Sequence, residues 1–195
     1  AIFQENIKRM LAYSSVAQIG YMILGISFAT VTGLTAGILH LFNHAMMKGG
    51  MFLALGCIFY RIGSVKLADM AGIARDMPWT MAAFVAGGLG LIGVPLTVGF
   101  ISKWYLVMAA LELGSWPIAV LVVASSLLAV IYVWRVIEAA YFKPAPVGRE
   151  TVTEAPLSML IPTWVLIGAS IYFGVHTSLT VGVARKAAVA LVGGG

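Results

Sequence analysis

Between Met10 and His176 the chain is a succession of apolar runs, most of them long enough to cross a bilayer as a helix. A crossing helix needs about 20 predominantly apolar residues for the roughly 30 Å hydrocarbon layer, and only helices or closed barrels satisfy their own backbone there. Charged residues make up 10% of the 195 residues and hydrophobic ones 61%. An ordinary soluble domain carries about 25% charged residues, and no soluble fold of this size hides so many apolar runs from water. The fold class that follows is an all-α integral membrane bundle.

The runs predict about five spans in a single membrane domain: 10–30, 34–60, 79–114, 116–142 and 157–176, with 177–195 as a C-terminal tail. Span 79–114 differs from the others because Gly87, Gly88, Gly90, Gly93, Pro95 and Gly99 interrupt it. Each half is too short for a full crossing, so the segment reads as one discontinuous helix, broken near 95–101 and marked by Gly93, Pro95 and Gly99. Freed backbone groups at such a break require buried protein or water, which suits a hydrated pathway. Five spans put Lys8, Arg9, Arg61, Lys66, Arg75, Lys143 and Arg149 on one face and Arg185 and Lys186 on the other. The positive-inside rule makes the first face cytoplasmic. The polar start, Gln4 to Arg9, leads into the first span with no cleavable signal, so the chain reads as the C-terminal part of a longer polypeptide.

The formal charge of +5 comes from short clusters between the apolar runs and forms no patch for nucleic acid. The surrounding partner is the lipid bilayer. Cys57 is the one cysteine and lies in an apolar stretch, so there is no disulfide framework. No nucleotide-binding glycine loop, cysteine cluster or nucleophilic triad appears. The chain offers no machinery for covalent catalysis and no motif for a cofactor, and is expected not to be an enzyme by itself.

Chemistry is concentrated in a few ionisable residues inside the spans. Lys103 follows the helix break, and a charge at that depth is a functional-site hypothesis by default. His40, His44 and Lys48 recur every fourth residue on the second span, one turn apart on one face, with Asn43 beside them. Histidine changes charge near neutral pH, and a lysine in a low-dielectric setting can alternate between charged and neutral forms, so such a stripe can relay protons. The alternative reading is a row that hydrogen-bonds to neighbouring helices and only holds the bundle together. Two histidines four apart are also a zinc spacing, but His40-Leu41-Phe42-Asn43-His44 lacks the glutamate of the zinc-protease motif and has no third ligand close by, so no metal is expected. Glu138, near the end of the fourth span, stands three residues after Arg135, a spacing that permits an ion pair. Gly33 and Gly37 suit a close helix contact.

Three segments carry a resemblance. Lys8-Arg9-Met10-Leu11-Ala12-Tyr13-Ser14-Ser15-Val16-Ala17-Gln18-Ile19-Gly20-Tyr21, then His40 to Lys48, then Gly99-Phe100-Ile101-Ser102-Lys103-Trp104 resemble, in order and spacing, the antiporter-like subunits shared by Mrp-type sodium/proton antiporters, respiratory complex I and membrane-bound hydrogenases. Lys103-Trp104-Tyr105 and Asp69-Met70-Ala71-Gly72 look most like the D component of the Mrp antiporter. The resemblance implies a bundle containing most of the second of two inverted five-helix repeats, with 79–114 as its broken helix. It further implies that Lys103 matches the lysine of the broken helix and His40, His44 and Lys48 the polar face of the helix before it, with charged partners of the first repeat upstream of Ala1. The residues read together give a proton pathway through Lys103, His40, His44 and Lys48, with Glu138 as an exit group.

The function expected on these grounds is a proton-translocating subunit of a multi-subunit monovalent cation/proton antiporter in a bacterial inner membrane. Its partners would be other membrane subunits, protons, and Na+ or K+. The alternatives are a proton-pumping membrane subunit of NADH-quinone oxidoreductase or a related hydrogenase, and a structural membrane subunit that no longer conducts.

Overall fold

A computed structural model describes residues 1–192 as seven helices: α1 Ile7–Ser27, α2 Val31–Ile62, α3 Pro78–Ile92, α4 Val98–Glu112, α5 Trp116–Ile137, α6 Leu157–Val175 and α7 Ser178–Val192. Among the described residues there is no strand, only an isolated bridge between Asn6 and Lys66. Local chemistry sets several of the ends. The Asn6 side chain accepts from the Arg9 N–H and Thr30 from that of Gly33, so each satisfies an orphan donor of a helix start. Gly63, in the left-handed conformation, closes α2.

The 32-residue α2 is about 48 Å long at 1.5 Å per residue, and α1, α3, α4, α6 and α7 all pack against it. Four helical segments are long and apolar enough to cross a membrane: α1, α2, α6, and α5 with its extension to Phe142. Helices α3 and α4 have 15 residues each, about 22 Å, and neither spans alone. They are separated by residues 93–97, where Gly93 (φ +90°) ends α3 and Leu96 (φ +73°) also has a positive φ. The two half-helices overlap side by side here. A Cβ built on Gly99 would lie 1.8 Å from the carbonyl oxygen of Gly90 and 3.1 Å from Met47 Sδ, so only glycine permits this approach.

Within the C-terminal tail, too short for a further crossing, the chain forms α7 as far as Val192; residues 193–195 lie outside the described residues. Its Ala184 and Ala188 are buried, and Leu179, Thr180, Val183 and Ala184 share an apolar groove with Ile38, Leu39, Phe42 and Phe173. At about 22 Å it is a packed half-length helix, held by tertiary contact that a length criterion for spans does not register.

The charged loops gather at one end of the bundle. Arg149 donates to the carbonyls of Asp69 and Ala71 and pairs with the Asp76 carboxylate at 3.1 Å, while Gly72 N–H donates to Ala139 O at 3.0 Å. Glu154 accepts from Trp79 N–H and Thr80 N–H with its carboxylate, which caps the start of α3, and Arg61 donates to its carbonyl. The resulting clamp fixes the outer end of α3, so its inner end is placed at the break.

Replacing Gly99 with alanine is expected to destabilise the bundle by about 3 kcal/mol or more, because the backbone of Gly90 cannot yield as a side chain would. Gly168, with no atom within 4 Å of a built Cβ, serves as the control and should accept alanine without loss. Thermal unfolding of the detergent-solubilised full-length protein checks both; equal stability of the two variants would contradict the overlap.

Candidate functional site

A helix that stops inside a bundle leaves its last carbonyls without intrahelical partners, and its dipole makes that end partially negative. The α3 end is answered by Lys103, in the second turn of α4: its Nζ donates to Leu91 O at 2.8 Å and Ile92 O at 3.0 Å. The residue is 6% exposed. A Cβ on Gly93 would come within 3.1 Å of Lys103 Cδ, so the glycine also makes room for the lysine stem. The ammonium lies 5.2 Å from the centroid of the Tyr21 ring, within cation–π range.

The same tyrosine leads on to α2. Tyr21 meets His40 edge-on, with centroids 5.3 Å apart, and the Tyr21 hydroxyl shares a 2.7 Å hydrogen bond with Ser125. Both nitrogens of the buried His40 ring are engaged: Nδ1 with Ser102 Oγ at 2.8 Å and Nε2 with Gln18 Oε1 at 3.0 Å. The Ser102 hydroxyl can also donate to Gly99 O, at 3.4 Å. One turn along, His44 stacks on His40 with centroids 6.3 Å apart, and its Nε2 is buried without a partner. Asn43 donates to Val98 O at 2.7 Å, tying the first turn of α4 to α2. A turn further, the buried Lys48 donates to Leu11 O at 2.7 Å and to Ser14 Oγ.

These contacts bring the buried Lys103, His40 and Lys48 and the half-buried His44 into one polar row from the break along α2. Glu138 is not part of it. The ion pair with Arg135 permitted by the sequence does not form: Glu138 approaches Lys143 at 3.8 Å, with the two side chains 46% and 54% exposed, and Arg135 donates to the carbonyls of Ile2 and Gln4. Arg135 is taken up by those backbone carbonyls, and residues Glu138–Phe142 continue α5 as a π-helix, whose wider turn brings Lys143, five residues on, near Glu138. Gly33 and Gly37 meet α1 at Gly25 and Met22.

Sequence reasoning passed over the partners of the row: Ser14, Gln18 and Tyr21 on α1, and Ser102 on α4. Their signal is the spacing of four and then three, which places three polar side chains on one face of an otherwise apolar span. Among the described residues no three His, Cys, Asp or Glu side chains gather as a metal centre requires. The arrangement contains groups that can take up and give up protons.

Residues 1–129 match the family described as NADH:quinone oxidoreductase/Mrp antiporter, TM. NADH-quinone oxidoreductase subunit N of Desulforudis audaxviator is 47% identical over 178 residues, covering 85% of this chain and 36% of that protein. F(420)H(2) dehydrogenase subunit N of Methanosarcina mazei is 30% identical over 98% of this chain and 41% of its own length. The chain therefore spans well under half the length of these relatives. A chain of the Mrp complex from Dietzia superposes with a TM-score of 0.90 at 24% identity, over 98% of this chain and 44% of the other. One from the archaeal membrane-bound sulfane sulfur reductase gives 0.86 at 32% identity, over 98% and 38%.

Asn43→Ala should remove the side-chain tie from α2 to Val98 O, at a cost of about 0.5–1.5 kcal/mol. Hydrogen exchange is expected to accelerate in the first turn of α4, Val98 to Ser102, while the middle of α5 keeps its protection; unchanged exchange in α4 would show that Asn43 does not anchor it.

Proposed function

Since this chain belongs to the NADH:quinone oxidoreductase/Mrp antiporter family, we propose that it is a proton-translocating membrane subunit of a multi-subunit complex, and that Lys103, His40, His44 and Lys48 carry the protons. The observation that carries the reading is the Lys103 amine bridging the two halves of a broken helix. As an ammonium it is held by the partial negative charge of the α3 end. As a neutral amine it loses that attraction and is free to leave the carbonyls. Proton uptake and release at Nζ therefore change how tightly α3 and α4 are joined, which couples charge to geometry at the break. His40 stands one ring beyond Tyr21 and has a hydroxyl partner at Nδ1, His44 has an unpartnered nitrogen, and Lys48 closes the row. His40, His44 and Lys48 follow one another about one helical turn apart on α2, and Lys103 faces them from α4 across the Tyr21 ring.

The protein sits in a bacterial plasma membrane in this reading, with the loops carrying Lys66, Arg75 and Arg149 on the cytoplasmic side. The 47% identity to an NADH-quinone oxidoreductase subunit N favours a redox-driven complex, in which electron transfer in other subunits powers the row. The antiporter reading, with Na+ or K+ exchanged for protons, is supported by Lys103-Trp104-Tyr105 and by the likeness in fold to the Mrp chain. Co-purification distinguishes them: flavin and iron–sulfur subunits are expected with the full-length protein in the first case and small antiporter subunits in the second.

Lys103→Ala in the full-length protein is expected to lower proton transport into everted vesicles by about tenfold or more with assembly intact, the loss typical of a proton-transfer group. Lys103→Arg should fail as well, because a guanidinium keeps its proton. Wild-type flux in either variant would overturn the assignment.

A further inference from the structure

His40 has two exits, and the structure treats them differently. Its Nδ1 faces a hydroxyl, Ser102 Oγ, at 2.8 Å, a group that can accept one proton as it gives up another. Its Nε2 faces the Gln18 carboxamide at 3.0 Å. In either orientation of that amide, the contact is a hydrogen bond to a group that neither gains nor loses a proton in the range where histidine works. Gln18 is 2% exposed, yet it also lines a groove of about 560 Å³ between α1 and α5, together with Ser14, Tyr21, Ser125 and Tyr132. An amide thus stands between a titratable ring and a largely apolar groove edged by the hydroxyl residues Ser14, Tyr21, Ser125 and Tyr132, at the place where the row would open sideways.

We propose that Gln18 is an insulating residue: it holds His40 Nε2 and closes the row against the α1–α5 groove, so that His40 loads and unloads only at Nδ1. The proposal rests on the reading of the row as a proton path. The other groups facing His40 do not replace this function. Tyr21 presents a ring edge and gives its hydroxyl to Ser125, His44 stacks on the ring face, and Lys103 lies beyond Tyr21. A carboxylate at position 18 would change the outcome. It could take the Nε2 proton of a His40 imidazolium, leaving a neutral imidazole protonated at Nδ1, and release that proton to the groove.

The test measures two quantities in proteoliposomes of the full complex: driven proton transport, and passive proton leak with no driving reaction. Gln18→Glu and Gln18→His, which are titratable, should raise the leak about tenfold or more, since a positioned acid–base group contributes on the order of 10²–10⁴ to proton transfer. Both should lower the gradient sustained by wild-type turnover of the driving reaction. Gln18→Met, which fills a similar volume without titrating, should leave the leak at the wild-type level, and a purely structural role would not separate these variants. Leak at the wild-type level in an assembled titratable variant overturns the proposal, as does an equal leak in Gln18→Met. Assembly of Gln18→Met alone would make Gln18 a packing residue and overturn it equally. Lys103→Ala separates this from the underlying reading: if it abolishes driven transport while Gln18→Glu does not leak, the proton path stands and the insulator fails; if it transports normally, the path itself fails.

Discussion

The site depends on how the end of α3 is satisfied in the membrane interior. A half-helix that stops there leaves carbonyls that lipid cannot solvate, and each unsatisfied group costs several kcal/mol. The Lys103 amine removes that cost for Leu91 and Ile92, and the same two carbonyls offset part of the cost of burying the amine. Neither feature is stable without the other. The glycine at position 99, which lets α4 begin beside Gly90, and the Glu154 cap that fixes the far end of α3 both serve this one junction.

From the junction, polarity propagates along α2 because the residues facing it recur once per turn. Position 40 meets Ser102 and Gln18, position 43 meets Val98, and position 48 meets Leu11 and Ser14, so α2 presents one polar face to α4 and α1 in succession. The face is nearly saturated with partners. The exceptions are Asn43 Oδ1 and His44 Nε2, on consecutive residues of α2, which are buried and unpaired. A buried polar group without a partner costs stability, which sets these two atoms apart from the rest of the face.

The sequence made the row's own residues legible and left its partners hidden. Lys103 stands out because a charge is costly among membrane-buried apolar residues, and His40, His44 and Lys48 because a period of four on one span is a helical face. Gln18 and Ser102 are uncharged, and uncharged polar residues are ordinary in a span. Their role exists only once α1 and α4 are brought to opposite sides of one ring. The spacing permits an Arg135–Glu138 pair, but tertiary contacts that the local sequence does not record decide it: Arg135 goes to the Ile2 and Gln4 carbonyls, and Glu138 lies near Lys143. The packing of α7 is not legible in the tail's own sequence, because it rests on the groove beside Phe42 and Phe173, which no local pattern records.

The central claim is that the Lys103 amine changes protonation as the complex works. Infrared difference spectroscopy of the full-length complex with isotope-labelled lysine, recorded as turnover begins, reads this directly through the ammonium bending bands. A lysine ammonium band that changes in the wild-type protein and is missing from the difference spectrum of Lys103→Arg is the predicted result. A difference spectrum without a lysine band, or one that is the same in both proteins, would contradict the account.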